Sequence, residues 1–192
     1  MFNATNTINN DYKFKIVLIG PENSGKSALL NAIFGRYVSE VSEIGGTTKR
    51  PVKRFWGKLK CGRTKKEPKF AQVSFVDLGG LYVGEKKSPI MVGKILEETY
   101  KEIEDANIII HVIDGKTGLS KSFEKLHHLL KYRYQKPIIV VINKCDLIDE
   151  NQMNELKNHI EYRLGNKVLF TSALTYWGIT ELVNTIIHLL KK

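Results

Sequence analysis

The stretch FKIVLIGPENSGKS, Phe14 to Ser27, reads as a strand running into a glycine-bearing loop and then a helix. Its opening apolar run is too short for a helix and suits a strand buried on both faces of a parallel sheet. GPENSGKS, Gly20 to Ser27, then matches G-x-x-x-x-G-K-[ST] in the strand–loop–helix setting this pattern needs. Glycines are required because backbone N–H groups must curl around phosphates in conformations a side chain obstructs. Lys26 supplies positive charge to the β- and γ-phosphates, and Ser27 offers a hydroxyl to Mg²⁺. The helix starting near Lys26 adds its N-terminal dipole. Alone, the loop leaves ATP and GTP equally open.

Outward from this stretch the pattern repeats. Short apolar runs at Ile108–Ile113, Ile138–Ile142 and Val168–Phe170 read as further strands. Between them lie stripes with helical spacing: Leu29, Leu30, Ile33 and Phe34; Ile95, Leu96, Tyr100 and Ile103; Phe123, Leu126, Leu129 and Leu130; Met153, Leu156 and Ile160; Ile179, Leu182, Val183, Ile186 and Leu190. Strand alternating with helix implies an α/β domain whose mostly parallel sheet is covered on both sides. Pro51–Val76 breaks the alternation. Two strand-like stretches there flank CGRTKKEP, a hairpin turn, so one antiparallel strand joins the sheet.

NKCD, Asn143 to Asp146, follows the strand PIIVVI and decides between the two nucleotides. An ionised Asp146 only accepts hydrogen bonds, and guanine presents two adjacent donors, N1–H and its 2-amino group. Adenine lacks both and leaves the carboxylate unpaired, a difference that supports roughly 10⁴-fold discrimination. Asn143 meets the O6/N7 side of the purine and the Lys144 stem covers the ring face. TSAL, Thr171 to Leu174, follows the last strand and brings the Ala173 N–H toward O6. In this order the three motifs reinforce one another.

Composition sets the remaining bounds. The chain has 192 residues, 42% hydrophobic and 26% charged, enough for one packed domain without disulfide or metal staples. Cys61 and Cys145 fit neither a secreted framework nor a zinc motif and read as free thiols. No apolar run approaches the roughly 18 residues of a membrane span. The opening MFNATNTINND lacks the features of a signal peptide, and no lipid-anchor pattern is present, so a cytoplasmic location without a membrane anchor is expected. The reading divides the chain into a flexible polar start at 1–11 and a single domain over 12–192.

The net charge of +10 is concentrated. The segment from Lys49 to Lys69 holds ten basic residues against one acid, Glu67. Such a cluster points to a polyanionic partner surface. Strict alternation places Lys53, Phe55 and Gly57 opposite Arg54, Trp56 and Lys58. Cations interleaved with Phe55 and Trp56 suit phosphate neutralisation and base stacking, which favours RNA or the ribosome as partner. The other readings are that these aromatics pack on the sheet, that the lysines form a solvated edge, or that the partner is acidic protein or lipid. His111 reads as a core group, and the adjacent His127 and His128 cannot share a helix face to form a metal pair.

With these motifs the sequence resembles the translation-factor-related small GTPases, and within them the TrmE–Era–EngA–EngB group. The resemblance covers about Lys13 to Leu190: GPENSGKS looks like the first motif of the family, Thr48 in GGTTKR the second, DLGG (Asp77 to Gly80) the third, NKCD the fourth and TSAL the fifth. It implies a P-loop G domain, α/β with a six-stranded, mostly parallel sheet and about five helices. It also implies GTP hydrolysis to GDP with Mg²⁺ as cofactor. Carried over, Ser27, Thr48 and Asp77 serve Mg²⁺, and Lys26, Thr48 and Gly80 serve catalysis. Asn23, Ser24, Gly25, Lys26, Ser27, Ala28, Asn143, Lys144, Asp146, Ser172, Ala173 and Leu174 line the nucleotide. Potassium-activated members carry an asparagine at the position of Asn23, which makes it a K⁺ ligand here, the plainer reading being a loop asparagine capping its own turn. Ras-like relatives carry glutamine after DxxG, whereas this chain has Leu81, which cannot orient a water. Hence two functional readings stand: a hydrolysing switch, and a guanine-nucleotide-dependent scaffold that scarcely hydrolyses. The resemblance leaves monomer and nucleotide-dependent dimer open.

Overall fold

A computed structural model describes residues 12–35, 51–61, 69–78 and 89–191. Six strands form one sheet: β1 (Tyr12–Ile19), β2 (Val52–Cys61), β3 (Lys69–Asp77), β4 (Ile108–Asp114), β5 (Ile138–Asn143) and β6 (Val168–Phe170). Five helices accompany them: α1 (Lys26–Phe34), α2 (Pro89–Glu104), α3 (Lys121–Tyr132), α4 (Glu150–Leu164) and α5 (Ile179–Leu190). The strand order is β2-β3-β1-β4-β5-β6; only β2 runs antiparallel, against β3. This is the expected P-loop G-domain architecture.

Alternation along β1 explains why Ile16–Ile19 is apolar at every position. Ile16 and Leu18 face one side of the sheet, packing with Leu29, Leu30 and Ile33 of α1 and Leu182, Ile186 and Leu190 of α5. Val17 and Ile19 face the other side, with Ile103 of α2 and Leu130 of α3. Farther along that second side, Ile113, Val140 and Ile142 meet Ile160 and Leu164 of α4. A strand buried on both faces favours apolar residues at successive positions. Parallel strands also place all their carboxyl ends on one edge, so the loops after β1, β4, β5 and β6 and the end of β3 converge there.

The β2 edge departs from strict alternation. Its register against β3 shifts between Phe55 and Gly57, a bulge centred on Trp56. The extra residue resets the side-chain parity, so Trp56 and Leu59 both pack on the core although their spacing is odd. Trp56 meets Phe75 edge to face at 5.5 Å. Phe55 remains 54% exposed, and Lys53 and Lys58 are exposed as well. The two aromatics therefore divide between the two readings: Trp56 is a packing residue and Phe55 a surface one. Lys58 does not share the Trp56 face, because the bulge lies between them. Lys49, Arg50 and the turn at 62–68 lie outside the described residues, as does the segment 1–11.

Candidate functional site

The loop after β1 is built from close backbone approaches. At Gly20 a Cβ would sit 2.3 Å from the carbonyl oxygen of Val112 in β4, so no side chain fits there. Gly25 has φ 83° and precedes α1, and a Cβ there would meet Asn143 Nδ2 at 2.4 Å. Between the two glycines, Ser24 is fully buried and its hydroxyl donates to the Pro21 carbonyl at 2.9 Å, closing the turn. Asn23 is exposed with φ 60°, a left-handed conformation that asparagine tolerates better than most residues. Ala28 follows in the first turn of α1 and is half-buried.

Lys26 lies inside this loop. It is 6% exposed, and its ammonium donates to the carbonyls of Gly20 at 3.0 Å and Pro21 at 2.7 Å. Burial lowers its pKa to about 8, partly opposed by the carboxylates of Asp77 and Glu22. At the next position the Ser27 hydroxyl donates to Asp77 Oδ2 at 2.8 Å, and Asp77 is fully buried at the end of β3. A hydroxyl and a carboxylate converging beside a phosphate cradle are the hard oxygen donors Mg²⁺ takes, with substrate phosphates and waters completing its shell. The residues present therefore fit the ion. Thr48, Gly80 and Leu81 lie outside the described residues.

At the base end, Asn143 joins three loops. Its Nδ2 donates to the Ser24 carbonyl at 3.1 Å, leaving a second amide hydrogen available to a ligand. Its Oδ1 accepts from the Thr171 hydroxyl and from the Ala173 N–H, both at 3.2 Å. The Ala173 N–H is thus directed at Asn143. Ser172 is buried and braces the same loop, its hydroxyl accepting from the Thr175 N–H at 3.1 Å, while Leu174 is 79% exposed. Lys144 has φ 65° and turns the chain into a single 3₁₀ turn, Cys145–Leu147, on which Asp146 is exposed. Cys145 points inward, its thiol on the Ile142 carbonyl at 3.1 Å, and burial pushes its pKa up to about 11.

Two features of the described structure were not legible as site residues. Asp114, at the end of β4, is buried and its Oδ2 accepts from Lys144 Nζ at 2.8 Å. The only signal for it was an Asp-Gly pair ending a strand that runs beside NKCD. His111 and His127, read separately, meet Nδ1 to Nδ1 at 3.2 Å in the core behind the site.

With the phosphate cradle and the base loops joined through Asn143, the comparisons with known proteins become informative. The family described as 50S ribosome-binding GTPase matches residues 15–144. The chain belongs to the 50S ribosome-binding GTPase family. An uncharacterized protein of Methanocaldococcus jannaschii is 61% identical over 183 residues, covering 95% of this chain and 99% of that protein. GTPase Der of Persephonella marina is 35% identical over 181 residues, covering 90% of this chain but 37% of Der. The chain thus spans about a third of the length of that relative. Among solved structures, Era in complex with MgGDPNP and nucleotides 1506–1542 of 16S ribosomal RNA superposes with a TM-score of 0.75 at 30% identity. That match covers 93% of this chain and 57% of Era. Among the described residues of this 50S ribosome-binding GTPase family member, no helix is long and apolar enough to cross a membrane.

Proposed function

We propose that this chain binds GTP and hydrolyses it to GDP and phosphate as a switch whose partner is ribosomal or other structured RNA. The observation that carries the reading is the Asn143 amide, which ties the Ser24 carbonyl of the phosphate loop to the Ala173 loop at the base end. One side chain thereby fixes the distance between a triphosphate cradle and a purine pocket. Asp146 selects guanine, Lys26 neutralises the β- and γ-phosphates, and backbone N–H groups hold the γ-phosphate in place. No described side chain is placed as a general base, so catalysis is positioning and electrostatics.

Ser27, Thr48 and Asp77 would hold Mg²⁺, which when bound neutralises charge on the β- and γ-oxygens. Asn23 is the residue to supply oxygen to K⁺. Thr48 and Gly80 are the groups whose contacts with the γ-phosphate would end on hydrolysis, which is what makes the reaction a switch. The basic segment Lys49–Lys69 is the proposed RNA-facing surface, a reading supported by its charge and by the RNA complex of the Era neighbour. Leu81 supports the second reading, a nucleotide-dependent scaffold with little turnover.

Single-turnover hydrolysis of GTP in KCl and in NaCl, with and without ribosomes, tests both. The switch reading expects turnover that is faster in KCl and a potassium stimulation that Asn23→Ala abolishes. Absence of turnover in every condition favours the scaffold. ATP competing with GTP at similar affinity would overturn both readings.

A further inference from the structure

Lys144 is a bulky residue held in a left-handed conformation, φ 65°, within the loop proposed to read the base. Such a conformation persists only where the surroundings over-determine it. The Lys144 side chain ends on Asp114. Its Oδ2 takes the Lys144 ammonium at 2.8 Å, with the carboxylate side chain only 10% exposed. Its Oδ1 accepts from the Lys116 N–H at 2.8 Å, which fixes the carboxylate plane. The backbone reinforces the same junction: Asp114 pairs with Asn143 at the end of the β4–β5 ladder, and the Gly115 N–H donates to the Asn143 carbonyl at 2.7 Å. From this anchor the Lys144 stem passes the phosphate loop, its Cε 3.7 Å from where a Cβ on Gly25 would be.

We propose that Asp114 is a positioning residue for guanine recognition, holding Lys144 in its left-handed turn so that Asp146, two residues on, meets the guanine edge. The inference rests on the assignment of Asp146 to guanine above. A buried carboxylate requires a charged or donating partner, and Lys144 is the cation bonded to it among the described residues. The pair is thus fixed by desolvation, and it couples the loop after β4 to the base-reading turn. Without it, Lys144 is free to relax to an ordinary backbone conformation, which rotates the peptide leading to Asp146.

The test is the affinity of the full chain for GDP, inosine diphosphate and ADP, measured by calorimetry on wild type, Asp114→Asn, Lys144→Met and the double variant. Asparagine keeps an acceptor for the Lys116 N–H and removes only the charge. Inosine lacks the 2-amino group, so the ratio of GDP to inosine diphosphate affinity reports the alignment of Asp146. Asp114→Asn should weaken GDP about tenfold, as expected for losing one charged hydrogen bond, and shrink that ratio. In the Lys144→Met background it should have no further effect. Additive effects of the two substitutions, or an unchanged ratio in Asp114→Asn while wild type still prefers guanine, overturn the proposal alone. A wild type that binds GDP and ADP equally overturns the Asp146 assignment and this proposal together. Should Asp114→Asn not fold, the single Lys144→Met variant decides: an unchanged ratio overturns the proposal.

Discussion

Asn143 and Lys26 are the two side chains on which the site's internal order depends. Truncating Asn143 to alanine leaves the Thr171 hydroxyl, the Ala173 N–H and the Ser24 carbonyl without the partner each now has. Unpartnered groups in buried surroundings cost about 1–3 kcal/mol each, with some relaxation among neighbours. Asn143→Ala should therefore lower ligand-free stability by about 3 kcal/mol in urea unfolding, before any effect on nucleotide is counted. For Lys26 the expectation concerns pH. Burial holds its pKa near 8, so in the ligand-free protein it is charged below pH 8 and increasingly neutral above it. Phosphates favour the charged form, so binding GDP above pH 8 requires proton uptake. GDP affinity should fall as pH rises from 8 to 9.5, by up to about tenfold per unit. Calorimetry in buffers of different ionisation enthalpy would show the proton uptake directly, and a pH-independent affinity would refute it.

Between elements, the polar link from β4 through α3 to the start of β6 sets a second pH dependence. Lys131 Nζ donates to Asn166 Oδ1 at 2.9 Å, and Asn166 Nδ2 donates to the Ile138 carbonyl. Oδ1 is thereby an acceptor, so His127 Nε2, 3.2 Å from it, carries the proton. His127 Nδ1 then accepts from His111 Nδ1–H, and His111 Nε2 is left as a buried acceptor without a hydrogen-bond partner among the described residues. Burial lowers both pKa values, that of His111 to about 3 and that of His127 to about 4. Both rings are neutral in the folded state at pH values where the unfolded chain protonates them. Stability should be fully present above pH 6.5 and decline as pH falls toward 4, by at most about 1.4 kcal/mol per unit for each ring. Urea unfolding at pH 7 and pH 5 measures this, and His111→Phe should reduce the slope.

The same elements show what was readable in advance. Runs such as Ile16–Ile19 are apolar because both faces of the strand are covered, a cause local enough to appear in sequence. The Trp56 bulge is not of that kind, because parity along β2 depends on how β3 pairs with it. Nor are the His111–His127 and Asp114–Lys144 pairs, whose partners meet only once helix and sheet, or two strand ends, are assembled. P-loop and NKCD residues were legible because their chemistry is carried by consecutive positions. At β2, Trp56→Ala should cost about 2–3 kcal/mol through its contact with Phe75, less than a fully buried tryptophan, whereas Phe55→Ala should change stability by under about 0.5 kcal/mol.

For the molecule as a whole, the described part of the basic segment lies on β2, the edge strand of the sheet. The site lies at the carboxyl ends of the parallel strands, whereas Lys53 and Lys58, two of the ten basic residues in the segment Lys49–Lys69, are exposed on the sheet's edge strand β2. An edge strand carrying exposed Lys53, Phe55 and Lys58 resists pairing with another sheet and offers cations beside an exposed ring. If that edge neutralises RNA phosphates, association releases counterions and weakens steeply with salt. Lys53→Glu with Lys58→Glu should then weaken RNA binding at low salt and reduce the slope of log K against log salt by about one per lost contact. Phe55→Ala should weaken binding with little change in slope, because stacking releases no ions. GDP affinity should stay at the wild-type value in both variants, since none of these side chains belongs to the loops that carry Lys26, Asn143 or Asp146. A double charge reversal that leaves both RNA affinity and its salt slope unchanged removes the edge from consideration and leaves the nucleotide site as it stands.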